Sequence, residues 1–160
     1  MGVAIDVSNP LNGAHALTEL DKLIENAAGV ANRAGTRLTA IRQHVYACLI
    51  KADEPLGAYE ILEHLDGVGC SKPPTVYRAL DWLLELGLIR KVASISKFIA
   101  LPQGQTFEPV AVMMCRKCGK AEVLHSTAGI DRIVEAAKSQ GLEKVQATLE
   151  IVGECKSHVE

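Results

Sequence analysis

Lys72-Pro73-Pro74-Thr75-Val76-Tyr77-Arg78-Ala79-Leu80-Asp81-Trp82-Leu83 opens with two prolines and then takes on helical spacing. A helix tolerates proline only in its first turn, where the missing N–H would have had no partner. The pair therefore marks a helix start, with Ser71 near the cap, and Gly87 marks the end. Within those limits Val76, Leu80, Leu83 and Leu84 form an apolar stripe, leaving Thr75, Arg78, Asp81 and Glu85 to face outward. Leu88 to Val92 and Phe98 to Leu101, separated by Ala93-Ser94-Ile95-Ser96, read as a β-hairpin directly after it.

Upstream, Ala58 to Leu65 predicts a short helix, with a turn at Asp66-Gly67-Val68-Gly69. Thr39 is a candidate N-cap for a helix with Ile41, Val45 and Leu49 on one stripe and Arg42, Gln43 and Tyr46 off it. Leu17, Leu20, Ile24 and Ala27 recur at helical spacing in a first helix from His15 to Asn32, closed by Gly35. Residues 1–13, with Asn9-Pro10 and Asn12-Gly13, read as a loose arm. Helix, helix, short helix, longer helix and hairpin is the order of a winged helix-turn-helix, expected over residues 14–101.

Such a domain inserts the opening turns of its second helix-turn-helix element into the major groove of double-stranded DNA. Arg78 suits a bidentate contact to guanine, Tyr77 a thymine methyl or a phosphate, and Lys72 and Thr75 the backbone. Arg37, Thr39 and Arg42 are placed to add phosphate or minor-groove contacts, and Lys91 or Lys97 to do so from the hairpin. Without that context, Tyr77 would read as core and Arg78 as a solvated charge. Global charge is no guide, at 17 basic against 19 acidic residues, and residues 31–98 carry only a small basic excess, nine to seven.

Downstream, Pro102-Gln103-Gly104-Gln105 begins a linker expected over residues 102–108. Residues 109–160 read as strand (110–114), knuckle, strand (120–125), helix (Gly129 to Gln140) and strand (Lys144 to Val152). The whole is an α+β chain of two parts. The second part is too small to bury much surface, so it is expected to dimerise. Cys115-Arg116-Lys117-Cys118 and Cys155-Lys156-Ser157-His158 each place two zinc-type ligands two residues apart. A closed Cys3His set, Cys115, Cys118, Cys155 and His158, is the composition of a structural Zn2+ site, one per monomer. Cys115 and Cys118 alone also fit a redox dithiol, and hence a thiol oxidoreductase. That chemistry needs its pair at the mouth of a helix in a βαβ unit and has no use for the second pair.

Five cysteines, an odd number, argue against a disulfide framework, and no apolar run reaches the ~20 residues that span a bilayer. A cytoplasmic protein without membrane contact is expected.

The run from Lys72 to Leu83, preceded by Arg37-Leu38-Thr39-x-x-Arg42 and followed by Cys115-x-x-Cys118-Gly119, resembles the ferric-uptake-regulator (Fur) family. Its wording, Lys-Pro-Pro-Thr-Val-Tyr-Arg-Ala-Leu, resembles that of the zinc-sensing branch, Zur. The resemblance spans about residues 20–158 and implies a homodimeric, metal-responsive bacterial repressor on AT-rich palindromic operators. It implies zinc as corepressor, zinc-uptake genes as targets and no enzymatic activity; the same-family alternative is an iron or peroxide regulator. Tyr77 and Arg78 match the family's base-contacting pair, Arg37 its phosphate or minor-groove arginine, and Cys115, Cys118 and Cys155 three structural zinc ligands. His158 stands where the branch usually has a fourth cysteine.

The resemblance also implies regulatory-metal ligands on the hairpin and before the knuckle, and here the chain departs from the pattern. Arg90 and Ala100 occupy the hairpin positions, and Thr106-Phe107-Glu108-Pro109-Val110 contains no histidine. Glu108, Glu122, His125, His64 and Cys70 are the candidate stand-ins. His15 and His44 read as ordinary helix residues, and Cys48 as a buried filler.

Overall fold

The structure, a computed structural model, describes residues 13–65, 72–101, 109–124, 128–143 and 145–158. Side chains are described for 19–65, 72–101, 109–124, 129–143 and 145–157. The N-terminal half runs α1 (Gly13–Arg33), α2 (Ala40–Lys51), α3 (Ala58–His64), α4 (Pro73–Glu85), β1 (Ile89–Val92) and β2 (Lys97–Ala100). The C-terminal half runs β3 (Val110–Cys115), β4 (Ala121–Leu124), α5 (Ala128–Ser139) and β5 (Thr148–Gly153). Helix α1 begins at Gly13, inside the stretch read as an arm. Ser71, the 102–108 linker, Cys70, Glu108 and His125 lie outside the described residues.

The double proline occupies the first two positions of α4, with Lys72 at the N-cap. At the other end Gly87 adopts φ +65°, the left-handed conformation that costs glycine nothing. This lets the Leu88 N–H reach Leu83 O at 3.0 Å and the Gly87 N–H reach Leu84 O at 3.0 Å, so the helix's orphan carbonyls are satisfied. Gly35 closes α1 in the same way, at φ +70°, with Thr36 N–H on Ala31 O at 3.0 Å. Thr39 stands at the N-cap of α2 but makes no side-chain capping bond there.

Val76, Ala79, Leu80 and Leu83 of α4 join Val45, Leu49, Ile61, Leu65, Leu88 and Ile89 in one aliphatic core. Tyr46, expected off the apolar stripe of α2, is fully buried, and its hydroxyl donates to Leu101 O at 3.3 Å. Helix α2 touches α1, α3, α4 and β2, so its buried surface is wider than one stripe. Burial pushes the Tyr46 phenol well above its ordinary range. Cys48 is half-buried against the same core, and burial raises its thiol too.

Strands β1 and β2 pair antiparallel, Ile89 opposite Ala100 and Val92 opposite Lys97, and Leu56 adds one bridge to Phe98. The hairpin is pinned to α3 by Glu60, whose carboxylate accepts the Gly57 N–H at 2.6 Å and Lys97 Nζ at 2.7 Å. These contacts, the Lys97 ammonium first, hold the Glu60 carboxyl below its ordinary range. Lys97, read from sequence as a phosphate contact, is therefore engaged within the fold.

The second sheet has the order β4-β3-β5, with β3 antiparallel to β4 and parallel to β5. A parallel pair cannot be joined by a tight turn, and α5 lies within the connection. It packs Ile130 and Val134 onto Ala111, with Leu124, Val145 and Ala147 at the edge of this small cluster. Strand β5 is shorter than the expected 144–152. The halves meet where the Ala121 N–H approaches Asp53 O at 3.5 Å and Gly119 lies against Glu54. A Cβ on Gly119 would sit 2.7 Å from Glu54 Oε2, the movable end of a side chain, so it is the φ of +74° that calls for glycine there.

Candidate nucleic-acid interface and metal centre

The packing of α4 decides what it offers to a ligand. Its apolar face is consumed by the core, which leaves Lys72, Tyr77, Arg78 and Asp81 exposed and Thr75 half-exposed. Tyr77 keeps 44% of its surface accessible, a large value for an aromatic residue beside a complete core. On the neighbouring α3, Tyr59 is 66% exposed. Sequence reading did not single it out, because one tyrosine in a short amphipathic helix carries no signal until its face is known.

Arg37 and Thr39, also exposed, are held relative to α4 by a three-part clasp on Trp82. Trp82 Nε1 donates to Thr36 Oγ1 at 3.1 Å. The Arg42 guanidinium stacks 4.1 Å above the centre of the indole ring and donates from Nη1 to Arg37 O at 2.7 Å. Arg42, grouped with the DNA contacts from sequence, is thus half-buried and oriented within the fold, with the segment Thr36–Arg42 drawn against α4. Trp82 itself is 8% exposed.

In the C-terminal half, the Sγ atoms of Cys115, Cys118 and Cys155 lie within 4.8 Å of one another. A tetrahedral zinc thiolate site, with Zn–S bonds of ~2.3 Å, sets its sulfurs ~3.8 Å apart. The three thiols are therefore gathered to nearly that spacing, and the chemistry and geometry of the donor set fit zinc. The gathering is local: Cys115 ends β3, the Gly119 N–H turns back onto Cys115 O at 2.9 Å, and the Arg116 N–H bonds Gly153 O at 2.9 Å. The Cys155 N–H points at Cys115 Sγ at 3.4 Å. That donor, with the Cys118 and Lys117 N–H groups, pulls the Cys115 thiol down to about 6. His158 ends a single 3-10 turn, Lys156–His158, and its side chain lies outside those described.

Among the described residues the three cysteines form the only group of three or more metal-type side chains. Of the stand-ins for a regulatory ligand, His64 is exposed with Nδ1 2.7 Å from Glu60 O, and Glu122 is exposed on β4. Arg90 is 4% exposed on β1, and burial lowers the pKa of its guanidinium. Ala100, opposite Ile89, is also buried. His44 is exposed, with Nδ1 2.6 Å from Ala40 O.

Residue Glu150, which has no sequence signal, links the halves. From β5 its carboxylate accepts the Ala93 N–H at 2.6 Å and the Ser94 N–H at 3.2 Å, both in the turn between β1 and β2. The Ser94 side chain and these two N–H groups hold the Glu150 carboxyl below its ordinary range.

Comparison with known proteins agrees with this anatomy. The zinc uptake regulation protein of Escherichia coli (strain K12) is 30% identical over 146 residues, covering 89% of this chain and 85% of that protein. The protein of the same name from Shigella flexneri matches equally. Among solved structures, a zinc uptake regulator complexed with zinc and DNA overlays with a TM-score of 0.76 at 28% identity, covering 86% of this chain and 93% of that one. The holo form of XcZur overlays at 0.73 with 30% identity, covering 86% and 96%. Its apo form, 31% identical and covering 88% and 97%, reaches only 0.50. The overlay is thus better on the holo form than on the apo form. The ferric uptake regulator family model matches residues 33–152, and the chain belongs to that family.

Proposed function

We propose that the chain is a zinc-responsive transcriptional repressor that binds palindromic operator DNA as a homodimer and controls zinc uptake. The observation that carries this reading is the recognition face of α4. Thr75, Tyr77 and Arg78 remain outside a helix whose other face is fully packed, and a wing and the Arg37–Thr39 segment are fixed beside it. The likeness to zinc uptake regulation proteins, one solved with zinc and DNA, supports it.

In this reading residues 14–101 bind DNA, 102–108 form the hinge and 109–160 dimerise, with 1–13 as an arm. Arg78 and Tyr77 read base edges, Lys72, Thr75, Arg37 and Thr39 hold phosphates, and Arg42 orients Arg37 through its carbonyl. Tyr59, exposed on the neighbouring α3, is a further candidate contact. Dimerisation uses the open edge of β5 and the exposed Leu149, Ile151 and Val152. Cys115, Cys118, Cys155 and His158 hold zinc, which when bound supplies a fixed cross-link between the knuckle and the chain beyond β5. Regulation is linkage: metal favours the arrangement that DNA binds better. The protein acts in the cytoplasm and is not an enzyme. The donor set favours zinc over a redox dithiol because Cys155 lies within reach of both Cys115 and Cys118.

Selection of duplexes from a random pool by the zinc-loaded dimer, followed by titration with Arg78→Ala, tests the assignment. Loss of a bidentate base contact reduces affinity by about 1–3 kcal/mol and relaxes selectivity at one position. Lys72→Ala weakens all sequences alike and flattens the salt dependence. Unchanged affinity and selectivity in Arg78→Ala would sink the recognition-helix reading.

A further inference from the structure

The C-terminal half touches the wing through a side chain that belongs to neither the recognition face nor the cysteine cluster. Glu150 sits in the middle of β5, opposite Val112 of β3, and is half-buried. Both of its carboxylate oxygens are used on the wing, Oε1 by the Ala93 N–H at 2.6 Å and Oε2 by the Ser94 N–H at 3.2 Å. A carboxylate that accepts two adjacent backbone donors fixes direction as well as distance. Both ends of this contact are tied to other parts of their own half. The wing turn lies between β1 and β2, which are tied to α3 through the Lys97–Glu60 pair. Strand β5 is paired along its length with β3, and its end is held by the Arg116 N–H on Gly153 O and by Cys155 near Cys115.

We propose that Glu150 is a positioning residue for DNA recognition, a latch that fastens the wing, and with it α4, to the strand leading into the cysteine cluster. The proposal rests on the DNA-binding reading of α4. Both segments brought together at the cluster, the knuckle with the start of β4 and β5, also touch the N-terminal half. The knuckle does so at Asp53 and Glu54, and β5 does so at Ala93 and Ser94.

Glu150→Ala and Glu150→Gln, in the zinc-loaded full chain, test the latch by two readouts. Hydrogen exchange without DNA is expected to accelerate at the Ala93 and Ser94 amides while the β1–β2 pairing stays protected. Affinity for a duplex selected by the wild-type protein from a random pool is expected to fall about three- to tenfold in Glu150→Ala, a charge-assisted contact discounted for solvent. Glu150→Gln, which keeps one acceptor, falls between. Zinc per chain and dimer mass remain as in wild type. Unaltered exchange at both amides overturns the latch, as does wild-type affinity despite faster exchange. Loss of zinc or of the dimer alongside affinity also overturns it, because the residue would then be serving the fold alone. The exchange arm needs no DNA, so it judges the latch separately from Arg78→Ala, which judges the recognition helix.

Discussion

Removing the Trp82 clasp gives a sharp test of how the recognition surface is held. In Trp82→Phe the ring position remains filled, but the Nε1 donor to Thr36 Oγ1 is lost and the stack beneath Arg42 weakens. The hydrogen bond is worth about 1 kcal/mol net, and the difference in cation–π strength about 0.5 kcal/mol. Some contact is lost as well, since Trp82 is 8% exposed and phenyl is smaller than indole, which brings the expected destabilisation to roughly 2 kcal/mol. Thr36→Val removes the partner oxygen while keeping its shape, so the double-mutant cycle of the two isolates the hydrogen bond. Urea unfolding followed by far-UV circular dichroism reads all four proteins; tryptophan fluorescence cannot, because Trp82 is the single tryptophan in the chain. A coupling near 1 kcal/mol is expected. Coupling below about 0.3 kcal/mol, within ordinary additivity, would refute the clasp. DNA affinity provides a second arm. The clasp orients Arg37 and Thr39 rather than a base-reading group, so Trp82→Phe should weaken selected and unselected duplexes by similar factors.

Zinc uptake should reveal the ionisation of Cys115. With its thiol near 6, the group is already largely thiolate at pH 7, so zinc binding there should release fewer than three protons from the cysteines and approach three near pH 5; a full three at pH 7 would contradict it. Leu149→Asp with Ile151→Asp should convert the protein to monomers in sedimentation, because each half-exposed side chain contributes about 1 kcal/mol per protomer on burial; a persisting dimer places the interface elsewhere.

Local chemistry wrote much of the fold into the sequence. Two prolines at the start of α4 and glycines after α1 and α4 act within one turn of chain, so their meaning does not depend on distant partners. The zinc cysteines were legible for a similar reason: ligand types and short spacing are a local signature, and only their meeting across 40 residues needed the structure. Tyr46 was misread because its helix is wrapped by four other elements, a fact of packing rather than periodicity. Glu150 was invisible because an acid among apolar residues on a strand looks like an ordinary solvent-facing position until the wing is brought against it. Arg42 and Lys97 were seen as cations, but their partners, the Trp82 ring and Glu60, come from other segments.

The parallel pairing of β3 with β5 sets an order of assembly. Strands β3 and β4 are joined through the knuckle, so the first two cysteines come together within a short hairpin. The third belongs to a segment beyond the strand that pairs with β3 across α5. Contacts of low sequence separation form at little entropic cost, whereas joining Cys115 to Cys155 closes a 40-residue loop. Closing a loop of that length costs about 4 kcal/mol of chain entropy, which zinc bonds in the folded site would offset. Bound zinc would therefore act on the folded state, holding the knuckle and the chain beyond β5 together. Cys115 and Cys118 would hold zinc from the hairpin and Cys155 from beyond β5, so the complete donor set would exist only where β5 is paired with β3.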